Sequence, residues 1–158
     1  MSLEIERKFL VRGEYKHLAI GSVHIAQGYL CSESGRTVRV RVRGDRGYLT
    51  VKGPSKDGGL SRFEWEIPIP AADARALLEL CEPGAIDKTR WLIPAGDGRH
   101  TWEVDEFHAD NEGLTVAEIE LASSDDTFER PGWLGEEVTG DRRYYNSMLT
   151  HNPYKNWK

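Results

Sequence analysis

Charged side chains fall on alternate positions again and again in this chain. E-I-E-R-K carries Glu4, Glu6 and Lys8, and R-V-R-V-R carries Arg39, Arg41 and Arg43. R-F-E-W-E carries Arg62, Glu64 and Glu66, K-T-R carries Lys88 and Arg90, E-V-D carries Glu103 and Asp105, and a second E-I-E carries Glu118 and Glu120. Residues i and i+2 of a strand share a face, so each motif presents a row of charge. Arginine forks grip phosphate oxygens in pairs, and lysine adds a compact charge. Carboxylates take hard cations such as Mg²⁺ or Mn²⁺. Rows of both signs therefore suit a polyphosphate together with its metal ions, an arrangement that also stabilises charge on a transferring phosphoryl group. Mutual salt bridges are the alternative, because burying such charges unpaired costs several kcal/mol per ion.

Short strands must position these rows. The alternation predicts strands over 3–11, 23–30, 36–43, 48–52, 61–69, 86–93, 100–107 and 115–122. Asp45 and Gly47 make a tight turn between the third and fourth, and 53–59 reads as a flexible loop. Ala71–Leu80 reads as a helix with Ala74, Leu77, Leu78 and Cys81 on one stripe, stopped at Pro83–Gly84. R-P-G-W-L-G reads as a loop, and Asp141 can cap a short helix through Leu149 with Tyr145, Met148 and Leu149 on its apolar side. The opposite strand faces carry Phe63, Trp65, Trp91 and Trp102, too large to leave wet. The fold class is mainly β: an eight-stranded antiparallel sheet closed into a barrel, with a polar tunnel inside, an apolar shell outside and a few flanking helices. Tyr29 lies between Gln27 and Cys31, where its hydroxyl could meet a phosphate oxygen or the attacking water, and Lys52 ends a strand beside Gly53.

The 158 residues suit one domain, taken as 1–150 with a loose tail over 151–158. Thirty per cent of residues are charged and the net charge is −5, which argues for a soluble fold and against broad nucleic-acid binding. No stretch is long and apolar enough for a membrane helix, and no apolar signal segment opens the chain, so a cytoplasmic location is expected. Cys31 and Cys81 read as free thiols, and the histidines have no zinc-ligand spacing. The apolar face of 61–69, with Phe63, Trp65 and Ile67, exceeds what two short helices can hide, and suggests a homodimer.

The ordered set M-S-L-E-I-E-R-K, Q-G-Y-L, V-R-V-R, T-V-K-G, K-T-R, E-V-D, A-E-I-E-L and E-E-V-T-G-D-R-R-Y-Y-N resembles the CYTH superfamily, the triphosphate tunnel metalloenzymes, over nearly the whole chain. The resemblance implies an eight-stranded tunnel that binds a triphosphate-containing small molecule with Mg²⁺ or Mn²⁺. Its activities include inorganic triphosphatase, class IV adenylate cyclase and thiamine triphosphatase, and this chain is most similar to the short bacterial inorganic triphosphatases. By position, the resemblance implies metal-side carboxylates at Glu4, Glu6, Glu118 and Glu120, a middle acidic strand at Glu103 and Asp105 and another in the tunnel wall at Glu64 and Glu66, and all eight are candidate metal ligands. It implies phosphate-binding bases at Lys8, Arg39, Arg41, Lys52, Lys88 and Arg90, with Arg143 a further match in the terminal motif. Arg62 joins the bases from its strand position, and Glu4, Glu6, Lys8 and Tyr29 are the candidates closest to the chemistry. A binding module that holds polyphosphate or a nucleotide without turnover is the non-enzymatic alternative.

Overall fold

The computed structural model describes residues 2–157. The strands are β1 (Ser2–Val11), β2 (Gly21–Cys31), β3 (Thr37–Arg43), β4 (Arg46–Lys56), β5 (Ser61–Ile69), β6 (Ile86–Pro94), β7 (Thr101–Phe107), β8 (Thr115–Glu120) and β9 (Leu134–Glu137). The helices are α1 (Ala71–Leu78) and α2 (Asn146–Leu149). All strand pairings are antiparallel, in the order β5-β4-β3-β2-β6-β7-β8-β1-β9, and β5 also pairs with β1. That last pairing closes β1–β8 into a barrel, so that the short β9 is the one edge strand left among the described residues. β1 can serve three neighbours because its first half pairs with β5, its second half with β8, and its end with β9.

Two elements differ from the sequence expectation. Residues 53–56 are not loop but the end of β4, which reaches Lys56 past an irregularity between Lys52 and Ser55. β9 was not expected, because four residues with two glutamates and a glycine carry no alternation; tertiary pairing with Phe9 and Val11 makes them a strand.

Three apolar clusters hold the barrel. On the outside of β1, β6, β7 and β8, Phe9, Ile93, Trp102, Val104, Ala117 and Ile119 pack under Tyr15, Trp133 and Leu134. Trp102 meets Phe9, Phe128 and Trp133 edge to face with ring centroids 5.5–5.7 Å apart, geometry that adds about 0.5–1.5 kcal/mol per pair. α1 covers β3 and β4 through Ala74, Leu77 and Leu78 against Val40, Val42 and Leu49. On β5 only Ile69 joins this cluster. Leu3, Phe63, Trp65 and Ile67 remain on the surface there, between 36% and 54% exposed.

The third cluster lies inside the barrel and was not anticipated. The inward rows change from charged to apolar along each strand: Arg90, Lys88, Ile86 on β6; Glu103, Asp105, Phe107 on β7; and Glu120, Glu118, Val116 on β8. Ile86, Phe107, Leu114 and Val116 pack against Val138, Tyr144 and Leu149 from the C-terminal segment. One stretch of the interior is therefore a filled core and the rest a polar tunnel. The tail beyond Leu149, expected to be loose, packs here too: Trp157 stacks edge to face on Tyr144 and Tyr154, and Asn111 Oδ1 accepts from the Tyr154 backbone N–H at 2.9 Å.

Candidate active site

The tunnel is lined by the alternating rows. One stretch is bounded by Glu4, Glu64, Glu66, Glu103, Glu120, Arg41 and Arg43. The other is bounded by Lys8, Tyr29, Thr37, Arg62, Lys88, Thr139, Tyr145, Asn146 and Ser147. Glu6, Arg39, Lys52, Arg90 and Glu118 line both. Neighbouring strands place partners by register: Lys8 faces Glu118 across β1–β8, Arg90 faces Asp105 across β6–β7, and Lys52 faces Glu64 across β4–β5.

The β6–β7 wall is saturated with pairs. Lys88 and Asp105 are each 1% exposed. Lys88 Nζ donates to Asp105 Oδ2 at 2.8 Å and to Asn146 Oδ1 at 2.9 Å. Arg90 grips both Asp105 oxygens, at 2.8 and 2.9 Å, and reaches Glu103 Oε2 at 3.2 Å. Burial would raise the Asp105 carboxyl, but Arg90 and Lys88 hold it well below the usual carboxylate range. Burial draws Lys88 down to about 8 despite Asp105. Burial also acts against the charge on Arg90, and Asp105 and Glu103 more than offset it. Asp105, expected among the metal carboxylates, is thus committed to holding two cations in place.

The β1–β8 wall differs. Burial and the neighbouring carboxylates of Glu118 and Glu4 push Glu6 well above the ordinary range. Among the described residues no cation lies within ion-pairing distance of the Glu6 or Glu120 carboxylate. Glu120 is also pushed up, by burial and then by Glu4 and Glu103. Glu118 stays low against its burial because Lys8 Nζ lies 3.4 Å away. Beside them, Lys52 Nζ donates to Glu4 Oε1 at 2.9 Å and lies 3.6 Å from Glu64. Glu4 and Glu64 share a hydrogen bond. Burial raises Glu64 to about 7 together with Glu4, whereas Lys52 and that hydrogen bond overcome burial to hold Glu4 at about 2.

The arginine row of β3 faces these acids with spare donors. Glu66 lies 3.4 Å from Arg39 and 3.6 Å from Arg41, and accepts from Thr50 Oγ1 at 2.6 Å. Arg39 Nε and Arg41 Nε are buried without a hydrogen-bond partner. Burial, then Arg39 and Arg90, draw Arg41 down to about 10. A row of like charges with unused donors is costly by itself and suits an anion.

Most of the residues singled out in the sequence meet here, including Tyr29, which is 5% exposed in the wall. Arg143 does not. Asp141 caps the turn Arg142–Tyr144, accepting from the Arg143 backbone at 3.1 Å and from its guanidinium at 2.7 Å, and this holds Arg143 outside against Tyr144 and Trp157. Sequence reasoning missed Thr37, Thr139, Tyr145 and Asn146 as lining residues. Tyr145 was assigned to the apolar side of a helix, but its backbone is extended, with φ −68 and ψ 134, between the turn and α2. Its ring faces Lys8 and Arg62 instead.

The description of the CYTH domain matches residues 2–151. The chain belongs to the CYTH family. It is 52% identical to an inorganic triphosphatase of Acetivibrio thermocellus, over 100% of this chain and 99% of that protein. It is 37% identical to an inorganic triphosphatase of Nitrosomonas europaea, over 92% and 95%. The CYTH fold is shared with the crystal structure of the inorganic triphosphatase NE1496 at a TM-score of 0.68 and 33% identity, covering 95% of each chain.

Proposed function

We propose that this CYTH protein hydrolyses inorganic triphosphate to pyrophosphate and phosphate, assisted by a divalent cation, Mg²⁺ or Mn²⁺. The observation that carries the reading is the division of the tunnel: buried arginines with unused donors on one side, and on the other the Glu6 and Glu120 carboxylates, which have no cation within ion-pairing distance among the described residues. The named relatives support the same substrate.

The residues present fit a hard cation. Glu4, Glu6, Glu118 and Glu120 supply carboxylate oxygens, and the burial and neighbouring carboxylates that push Glu6 and Glu120 up are what a cation would offset. Among the described residues no three carboxylates form a closed metal cage. Mg²⁺ is commonly held in that way, by one or two carboxylates together with substrate phosphates. Such an ion, when bound, neutralises charge on the phosphate oxygens.

The chain's own residues do the rest. Arg39, Arg41, Lys8, Lys52 and Arg62 bind and align the phosphates. Lys88 and Arg90, fixed by Asp105, keep the positive wall rigid. Glu4 or Glu6 orients the water that attacks the terminal phosphorus, and Tyr29 contacts a phosphate oxygen or that water. The bond to the bridging oxygen breaks and pyrophosphate leaves. Phosphate release from tripolyphosphate, ATP and thiamine triphosphate, each with Mg²⁺, Mn²⁺ or chelator, tests this. Fast, metal-dependent turnover of tripolyphosphate is expected; slow turnover of all three without regard to metal rejects it.

We place the protein in the cytoplasm, where the free Cys31 and Cys81 stay reduced; no helix is long and apolar enough to cross a membrane among the described residues. The uncovered row Leu3, Phe63, Trp65 and Ile67 supports a homodimer packed through β1 and β5. Sedimentation at micromolar concentration checks it, and a species of 17.9 kDa rejects it.

A further inference from the structure

A second cavity, of about 320 Å³, lies beside the tunnel. Thr37, Arg62, Tyr145 and Ser147 line both spaces. The Tyr145 ring is among the side chains the two spaces share. Its centroid is 5.2 Å from Lys8 Nζ and 5.5 Å from Arg62 Cζ, so two tunnel cations hold it by its face. Its hydroxyl lies 3.3 Å from Ser55 Oγ on the far wall. The backbone around the ring is already closed. Gly59 and Gly140 have φ of +95 and +81, and a Cβ on Gly59 would come within 2.3 Å of Gly140 Cα. Among the described residues that line both spaces, Tyr145 is the only aromatic one, and a side-chain change can remove its ring.

The outer cavity has its own chemistry. Arg142 reaches into it and donates to Ser34 Oγ at 3.2 Å; Ser55 also lines it, as does Ser32, whose hydroxyl is engaged by Glu82 and His151. Its one carboxylate among the described residues, Glu33, is engaged by Arg36. Its one aromatic ring among the described residues is Tyr145 itself, so no surface is left to stack a base. Arginine and hydroxyls without a stacking platform suit a phosphate group.

We propose that Tyr145 is a chain-length filter, and that the cavity behind it is an anion subsite for the additional phosphate of a longer linear polyphosphate. This rests on the tripolyphosphatase reading above. A chain of three phosphates is held within the tunnel; a chain of four reaches the outer subsite only when the ring is out of the way. Arg142 and the serine hydroxyls then contact the extra phosphate.

The experiment measures kcat/KM for tripolyphosphate and tetrapolyphosphate on the wild type, Tyr145→Ala, Tyr145→Phe, Arg142→Ala and the double variant Tyr145→Ala with Arg142→Ala. Tyr145→Ala raises the tetrapolyphosphate-to-tripolyphosphate ratio by about tenfold or more. Tyr145→Phe keeps the wild-type ratio, because the ring and not the hydroxyl is the barrier. Arg142→Ala alone keeps it too, and in the double variant most of the gain is lost. A Tyr145→Ala ratio within about twofold of wild type overturns the filter, and a gain that survives loss of Arg142 overturns the subsite. Should Tyr145→Ala not fold, competition in the wild type decides: tetrapolyphosphate is a poor inhibitor of tripolyphosphate turnover if the filter exists, and tight competition overturns it. A wild type that turns over ATP but not tripolyphosphate instead removes the underlying reading and the filter with it.

Discussion

The β6–β7 wall and the β1–β8 wall of the tunnel are made of the same residue types, yet their electrostatics are opposite. On β6–β7 every buried charge has a partner: Asp105 lies between Lys88 and Arg90, and all three are almost fully enclosed. On β1–β8 the carboxylates of Glu6 and Glu120 face other carboxylates, and burial and then those neighbours push them up. A buried pair is roughly neutral for stability as long as both partners remain. A buried like-charge cluster is a standing cost. The contrast teaches which charges hold the barrel together and which await a ligand.

Exchanging an acid for its amide on each wall is the sharpest way to break the comparison. Asp105→Asn removes the anion from two buried cations, and should destabilise the protein by about 3–5 kcal/mol in denaturant unfolding. Glu6→Gln should do the reverse, leaving the unfolding midpoint unchanged or higher because a carboxylate repulsion is gone. Its cost should fall on chemistry, a loss on the order of a hundredfold in kcat/KM for tripolyphosphate that raised Mn²⁺ partly recovers. If both amides destabilise equally, the two walls do not differ as described.

Smaller effects sharpen the picture. Arg41→Ala should raise KM for tripolyphosphate by about tenfold without lowering thermal stability, since Arg41 is buried beside Arg39 and Arg90. A fall in the unfolding temperature would mean that the row is structural, like β6–β7.

The smallest expected effect concerns the turn joining β6 to β7. His100 is buried between two carboxylates: Nδ1 meets Asp97 and Nε2 lies 2.8 Å from Asp126. Asp126 and Asp97 raise its pKa by hydrogen bonding, and backbone N–H groups, then His100, lower theirs. A raised folded pKa means that the His100 contribution is complete below its unfolded value of about 6.5 and is lost as pH rises through the folded value. The aspartates, with lowered folded pKa, contribute above about 3.9 and lose that contribution as pH falls. The unfolding midpoint should therefore decline from pH 6 to 8 in the wild type, and His100→Gln should flatten that decline. A wild-type midpoint that rises over this window would contradict the clamp.

Sequence alone determined the strands that alternate and the faces their charges share. A two-residue period projects side chains to one side without reference to the rest of the chain. Glu4, Glu6, Lys8, Arg39, Arg41, Lys88, Arg90, Glu118 and Glu120 could be assigned to one lumen for that reason. Partnership was not legible. Asp105 and Glu6 look alike in sequence, and only cross-strand register puts two cations beside one and carboxylates beside the other. β9 has no period of its own and exists because the end of β1 offers it a ladder. Tyr145 sits in a motif that reads as helix, yet the capped turn before it leaves its backbone extended and sends its ring between Lys8 and Arg62. Alternation is local and can be read locally; pairing, closure of the barrel and the partition behind the tunnel depend on residues far apart in the chain, and those contacts arise only when it folds.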